Sequence, residues 1–481
     1  MRRSFGRTRF SVDPLFRVIA MRHVVGIVLL SVFFLTASLF AQQQEYKGWP
    51  LTPKTEEEES KKAATVSNAL QSGTIDKATF DNYFKKYYFS RWTRQDHISQ
   101  LNGYVRNDFL KNDLGRATGE ARRMLLDITV KAMKAMKSDP AVYPVAQLNA
   151  VVVLGNLYED VDRTIPYGPA IPVLLEELKN EKAPLANQIT AIDGLVRYAY
   201  LGIADQRLRD KDLPALFISI ATAEKVPEGR VPEIHNLFFR AKAVEGLGAL
   251  CRSAKPAPGE SADGLTKIVE TLLTILENKS EKIDEVRNNA MNAFAELNLI
   301  AASAGGVKLD SARIVAAISS FARATCDRQQ QFIEEVRRSE QANTSGGTRG
   351  GTSSGEKTTR RIEECIGSSK FAFGTVKNAI QGLSGARNEA SIIALLKKEN
   401  ESANAESVKM LVDIQKNIDE YIMFLNKGPQ QGTKRGSGGT SGGTTNTAKS
   451  GNTPKVTMDD IYNELAVLAT KFDELASKKR G

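Results

Sequence analysis

Histidine is nearly absent from this chain: 481 residues contain three. His23 falls in an apolar N-terminal run, while His97 and His235 stand apart with no Glu or Cys at metal-ligand spacing. The commonest general base and commonest metal ligand are therefore missing from any plausible cluster. Also lacking are a G-x-S-x-G elbow, a glycine-rich phosphate loop after a strand, and a His–Cys pairing for nucleophilic attack. Glycines gather in Ser/Thr-rich stretches and turns, and GLGAL at Gly246–Leu250 sits inside a helical pattern, where it reads as packing. Carboxylates are spread over helix surfaces, so no pair stands out for acid–base work. The residues assign no catalytic group, no cofactor and no metal, and the chain reads as non-enzymatic.

Cysteine is equally scarce, with three residues and no zinc spacing. Cys251 ends the apolar run AKAVEGLGALC and reads as a small buried hydrophobe. Cys326 and Cys365 fall on two expected helices flanking a Gly/Ser/Thr-rich stretch. A bridge between them needs a Cα separation below roughly 7 Å, and the two lie at different depths from that stretch. Bridged and free states both stay open.

Long apolar runs are absent except one. VVGIVLLSVFFLTASLF, Val24–Phe40, follows Arg22 and precedes AQQQEYKGW, the shape of a secretory signal peptide. Met21 sits where such a signal begins, and cleavage is expected after Ala41, although Leu39 is larger than the usual residue two positions earlier. An uncleaved anchor is the alternative, since 17 apolar residues are the lower edge of a membrane span. The protein is expected to be periplasmic or secreted, touching a membrane only through that segment if it is retained. The net charge of +10 shrinks accordingly: residues 1–41 carry a surplus of five, leaving about +5. Lys and Arg are mixed with Glu and Asp throughout, the pattern of solvated faces rather than a phosphate-binding stripe.

What is present is helical periodicity. In DEVRNNAMNAFAELNLI, Val286, Ala290, Ala293 and Leu297 share one helix face. Three other segments superimpose on it: VAQLNAVVVLGNL from Val145, ANQITAIDGLVRYA from Ala186 and FRAKAVEGLGAL from Phe239. Their anchoring alanines, Ala150, Ala191, Ala243 and Ala290, are 41, 52 and 47 residues apart, the range of two-helix solenoid units. Each follows another apolar-periodic helix: Leu125–Met136, Ile171–Asn180, Leu213–Lys225 and Ile268–Asn278. Pro- and Gly-bearing breaks separate them.

This pattern resembles the HEAT-repeat family, whose second helices read D-x-V-R-x-x-A-x-x-A-L-G-x-L. The fourth unit matches best, with Asp284, Val286, Arg287, Ala290, Ala293 and Leu297. The third keeps Arg240, and the first two carry Gln147 and Gln188 at the Arg position. The resemblance implies an all-α, right-handed α-α superhelix, an Asp–Arg ladder between successive units, and a concave face formed by the second helices. That face would hold a protein or peptide through Gln147, Gln188, Arg240, Arg287 and Asn288, although each is also a plausible inter-repeat hydrogen-bonding residue.

Around the repeats the chain is expected to divide as follows: a signal at 1–41, a mobile segment at 42–73, a helical cap at 74–118 and HEAT-like repeats at 119–341. A linker at 342–359, a helical extension at 360–427, a second linker at 428–455 and a C-terminal amphipathic helix at 456–481 complete it. In the cap, Phe80, Tyr83, Phe84, Tyr87 and Tyr88 follow one helix face, which favours packing over base stacking, and no nucleic-acid partner is expected. Two heptad-like seams flank the second linker: Leu411, Ile414, Ile418, Tyr421 and Leu425, then Met458, Ile461, Leu465, Leu468, Phe472 and Leu475. A 28-residue linker spans about 30 Å. The last helix can thus return antiparallel to the earlier one, leaving a monomer, or it can associate weakly with a second copy.

The function expected is an exported, non-catalytic interaction scaffold of a bacterial envelope. The other reading is a helical support for binding or lyase-like action on a small molecule or wall polymer, which would need a deep pocket with convergent polar groups.

Overall fold

A computed structural model describes residues 46–74, 76–101, 105–160, 162–223, 233–253, 263–278, 284–345, 354–382, 391–400, 402–426 and 456–477. The signal segment and the second linker lie outside them, as do residues 346–353 of the first linker. Among the described residues the chain is all-helical, with one isolated bridge between Tyr158 and Pro166 and no strand. None of these helices is long and apolar enough to cross a membrane.

The N-terminal unit begins with α1 (Pro53–Ser60) and α2 (Ala63–Ser72). Helix α3 then runs through Lys77–Asn82, a π-helical turn at Tyr83–Tyr88 and Phe89–Trp92. The Asp76 side chain starts it by accepting from the Ala78 and Thr79 amides. Helix α4 (Gln95–Gln100) follows, then α5, made of Arg106–Asp108, a second π-helical turn at Phe109–Asp113, and Leu114–Arg116. The apolar face read from the sequence is buried at Phe80, Tyr83, Phe84 and Tyr87, and the π turn carries Phe89 and Trp92 inward as well. Phe89, Trp92 and Phe109 pack edge to face at 5.4–5.7 Å between centroids.

Six helix pairs follow. They are α6 (Gly119–Ser138) with α7 (Pro144–Leu154), and α8 (Ala170–Lys179) with α9 (Leu185–Leu201). Next come α10 (a π-helical turn Leu208–Asp212, then Leu213–Ala221) with α11 (Glu233–Ser253), and α12 (Asp263–Glu277) with α13 (Asp284–Glu296). A short α14 (Leu299–Ala304) precedes the pair of α15 (Ser311–Ser345) and α16 (Ser354–Gln381). The last pair is α17 (Ile392–Asn400) with α18 (Ala405–Leu425), and α19 (Met458–Ser477) ends the described chain. Proline at the first helical position opens α7, where a missing N–H leaves nothing unpaired.

The second helices form a row: α7 packs on α9, α9 on α11, α11 on α13, α13 on α16 and α16 on α18. The four anchoring alanines are fully buried in it, and so are Val286 and Met291 around the last of them. Spacing between rows is set by small residues in a repeating register. A Cβ on Gly155 or Gly194 would lie 2.9 Å from the other's Cα, and a Cβ on Gly248 would lie 2.9 Å from that of Ala293. In both cases the residue five beyond one anchoring alanine meets the residue three beyond the next. Gly246, inside GLGAL, leaves room for the Phe217 ring of α10, 2.6 Å from where its Cβ would stand. One apolar core runs from Val66 to Phe472.

Helix α19 packs on both α15 and α18. It runs antiparallel to α15, pairing Arg323 with Asp473 and Arg337 with Asp459. The expected return onto the preceding helix is therefore shared with a helix one pair earlier.

Candidate protein-binding face

Four of the five residues expected on the concave face do one common job inside the fold. Gln147 Nε2 donates to the Asp139 carbonyl at 2.8 Å and Gln188 Nε2 to that of Asn180 at 2.7 Å. Arg240 Nε donates to Ala221 O at 2.9 Å and Arg287 Nη2 to Leu276 O at 3.0 Å. Each acceptor closes the first helix of the donor's own pair, where carbonyls lack an intrahelical partner. The amide serves where eight residues separate donor from acceptor, and the longer guanidinium where 19 or 11 do. These hydrogen bonds tie the second helices to the chain's own helix termini. Arg240 and Arg287 are buried, and the Arg287 guanidinium lies 5.5 Å from the Phe321 ring centroid. Asn288 is half-buried and accepts from Arg328 at 3.4 Å.

The polar links between successive second helices use other residues. From α9 to α7, Arg197 Nη1 donates to Gly155 O at 2.9 Å, and the Tyr198 hydroxyl accepts from the Leu157 amide at 3.0 Å. Between α9 and α11, Lys242 Nζ stands 3.1 Å from Asp193 and 3.0 Å from Glu245. Burial alone would lower the Lys242 pKa, but the two carboxylates outweigh it and hold the ammonium above its ordinary range. From α13 to α11, Asn289 Nδ2 donates to Ala241 O at 2.9 Å. Lys242 and Asn289 each precede an anchoring alanine.

Beside this ladder lies a belt of charge. Arg252 is exposed and sits 3.8 Å from Glu296, whose carboxyl pKa burial raises against the opposing pull of Arg252. Tyr200 stands near Glu245 and Glu296, and burial, reinforced by those carboxylates, keeps its hydroxyl protonated. Asp193, Lys242, Glu245, Arg252 and Glu296 thus alternate in sign across three helices. Such a belt can align a polar, mixed-charge segment but carries no activated nucleophile. Sequence reading passed over these residues because a charged side chain on a helix looks the same whether it faces solvent or a neighbouring helix.

All three cysteines are buried and free, so the Cys326–Cys365 bridge left open by the sequence is not formed. Burial pushes the Cys251 thiol up to about 12 and raises that of Cys326 further, which keeps them in the unreactive thiol form. His97 accepts from Arg91 Nε at 3.4 Å, and burial with that neighbouring cation lowers its pKa. The His235 side chain lies outside the described residues. No group of His, Cys, Asp and Glu that could hold a metal occurs among the described residues. An open depression of about 470 Å³ between α8 and α10 is lined by Leu175, Lys179, Arg207, Asp212, Ala215 and Leu216. Comparison with protein-family models, curated proteins and solved structures found no match.

Proposed function

We propose that the helix pairs are successive turns of a HEAT-like right-handed superhelix, and that the chain is an exported, non-catalytic scaffold of a bacterial envelope. It binds a protein or peptide along the face of the second helices. The observation that carries this reading is the continuous row from α7 to α18, crossed in its middle by the belt of Asp193, Lys242, Glu245, Arg252 and Glu296. Stacked pairs of this kind offer an extended surface suited to a long partner. Alternating charge fixes the register of that partner more than it strengthens the grip.

The test is cross-linking and affinity purification of the tagged protein from its native envelope, alongside a variant carrying charge reversals at the two most exposed belt residues, Asp193→Lys and Arg252→Glu. A stoichiometric protein recovered with the wild type and lost from the variant supports the scaffold. Recovery of the same proteins with both places the partner elsewhere and sinks this face.

A further inference from the structure

Helix α19 lies in a groove between α15 and α18. Ile461, Leu465, Leu468 and Phe472 are buried against α15 and α18. Polar contacts along the rim fix its direction. Arg323 Nε reaches both Asp473 oxygens at 2.9 Å, and Arg337 pairs with Asp459. The Arg337 guanidinium also lies 4.9 Å from the Tyr462 ring centroid, and the Tyr462 hydroxyl donates to Glu334 at 3.0 Å. Asp473 and Asp459 are 59% and 80% exposed, so these carboxylates sort partners without being part of the core. The two cations and the two carboxylates are each fourteen residues apart, four helical turns, so both ion pairs form only in one antiparallel register.

We propose that this groove accepts the α19 of a second copy as readily as its own, so that two chains exchange C-terminal helices reciprocally. The contacts named above join α19 to α15 and α18, so they are the same in cis and in trans, and residues 427–455, Gly/Ser/Thr-rich in sequence, connect α18 to α19. What decides between them is concentration. A tether of that composition gives an effective concentration on the order of millimolar, so an isolated chain closes on itself below that level. Above it, or when two chains are held side by side by a common partner, exchange competes.

Two full-length variants test it. One carries Arg323→Glu and Arg337→Glu in the groove; the other carries Asp459→Lys and Asp473→Lys on the helix. Alone, each opposes like charges in cis. Mixed, each helix matches the other chain's groove, turning four like-charge contacts into four ion pairs. At roughly five-fold per exposed pair, the dissociation constant of the exchanged pair falls about six-hundred-fold, from millimolar to low micromolar. Sedimentation at tens of micromolar should show a one-to-one heterodimer on mixing, with both parents monomeric, and the heterodimer should dissolve in high salt. Monomers in the mixture overturn the proposal, as does a dimer formed equally by either variant alone.

Discussion

Arg122 donates to four backbone carbonyls: Leu114 at 2.5 Å, Tyr158 at 2.7 Å, and Glu159 and Asp160 at 2.6 Å. Its planar fork joins the end of α5 to the loop after α7, and the side chain is buried. Methionine would fill the space but leave those carbonyls without a donor. Arg122→Met should cost about 4 kcal/mol, and Arg122→Lys roughly half that, by urea denaturation. A loss below about 1 kcal/mol would show that water replaces the guanidinium freely. Nearby, burial raises the Asp113 carboxyl from 3.8 to about 6, opposed by the hydrogen bond from Tyr88 at 2.6 Å and reinforced by Asp108. A raised folded-state pKa means stability is fullest below about 4 and falls as pH rises through about 6, by about 3 kcal/mol. Asp113→Asn, which never ionises, should flatten that decline, so its thermal midpoint should exceed the wild type's at pH 7 and converge with it at pH 4. Parallel melting curves across that range would refute the assignment.

At the scale of elements, the small residues between second helices and the clamps on first helices make separable predictions. Gly246→Leu places a side chain into the Phe217 ring and should destabilise by about 3 kcal/mol, whereas Gln188→Ala removes one hydrogen bond of a half-buried amide and should cost about 1 kcal/mol. Chemical denaturation separates these outcomes, and equal losses would mean the ring moves aside. The same contrast explains what the sequence could convey. Alanine anchors at helical spacing sit where their period puts them, since an apolar face has only one place to go. The seams of α18 and α19 were legible for the same reason, with Ile414, Ile418, Ile461 and Leu465 fully enclosed. The destination of a polar side chain was not legible. Gln147, Gln188, Arg240 and Arg287 share a motif position, yet nothing in that pattern says whether the polar end turns outward or to a helix terminus. The π-helical turns at Tyr83–Tyr88 and Phe109–Asp113 were hidden too, because one extra residue per turn leaves an aromatic-rich helix looking merely more aromatic.

Among the described residues, most tertiary contacts join a helix to its pair or to the adjacent pair, while α19 on α15 and the bonds of Lys47, Gly48 and Trp49 to Ala141 and Asp139 reach further along the chain. Stability in such an array is close to a sum of unit and interface contributions, so damage at one end need not be felt at the other. Trp92 offers the test, being fully buried at the far end from α19 and surrounded by Tyr88, Phe89 and Phe109. Trp92→Ala should cost about 4 kcal/mol within the N-terminal unit. In hydrogen exchange, protection should fall in α1 to α5, fall less in α6, and stay at the wild-type level in α15, α16 and α18. Uniform loss from Val66 to Phe472 would instead mean that the continuous apolar core behaves as one cooperative block. The row of second helices would then respond to damage as a single unit rather than pair by pair.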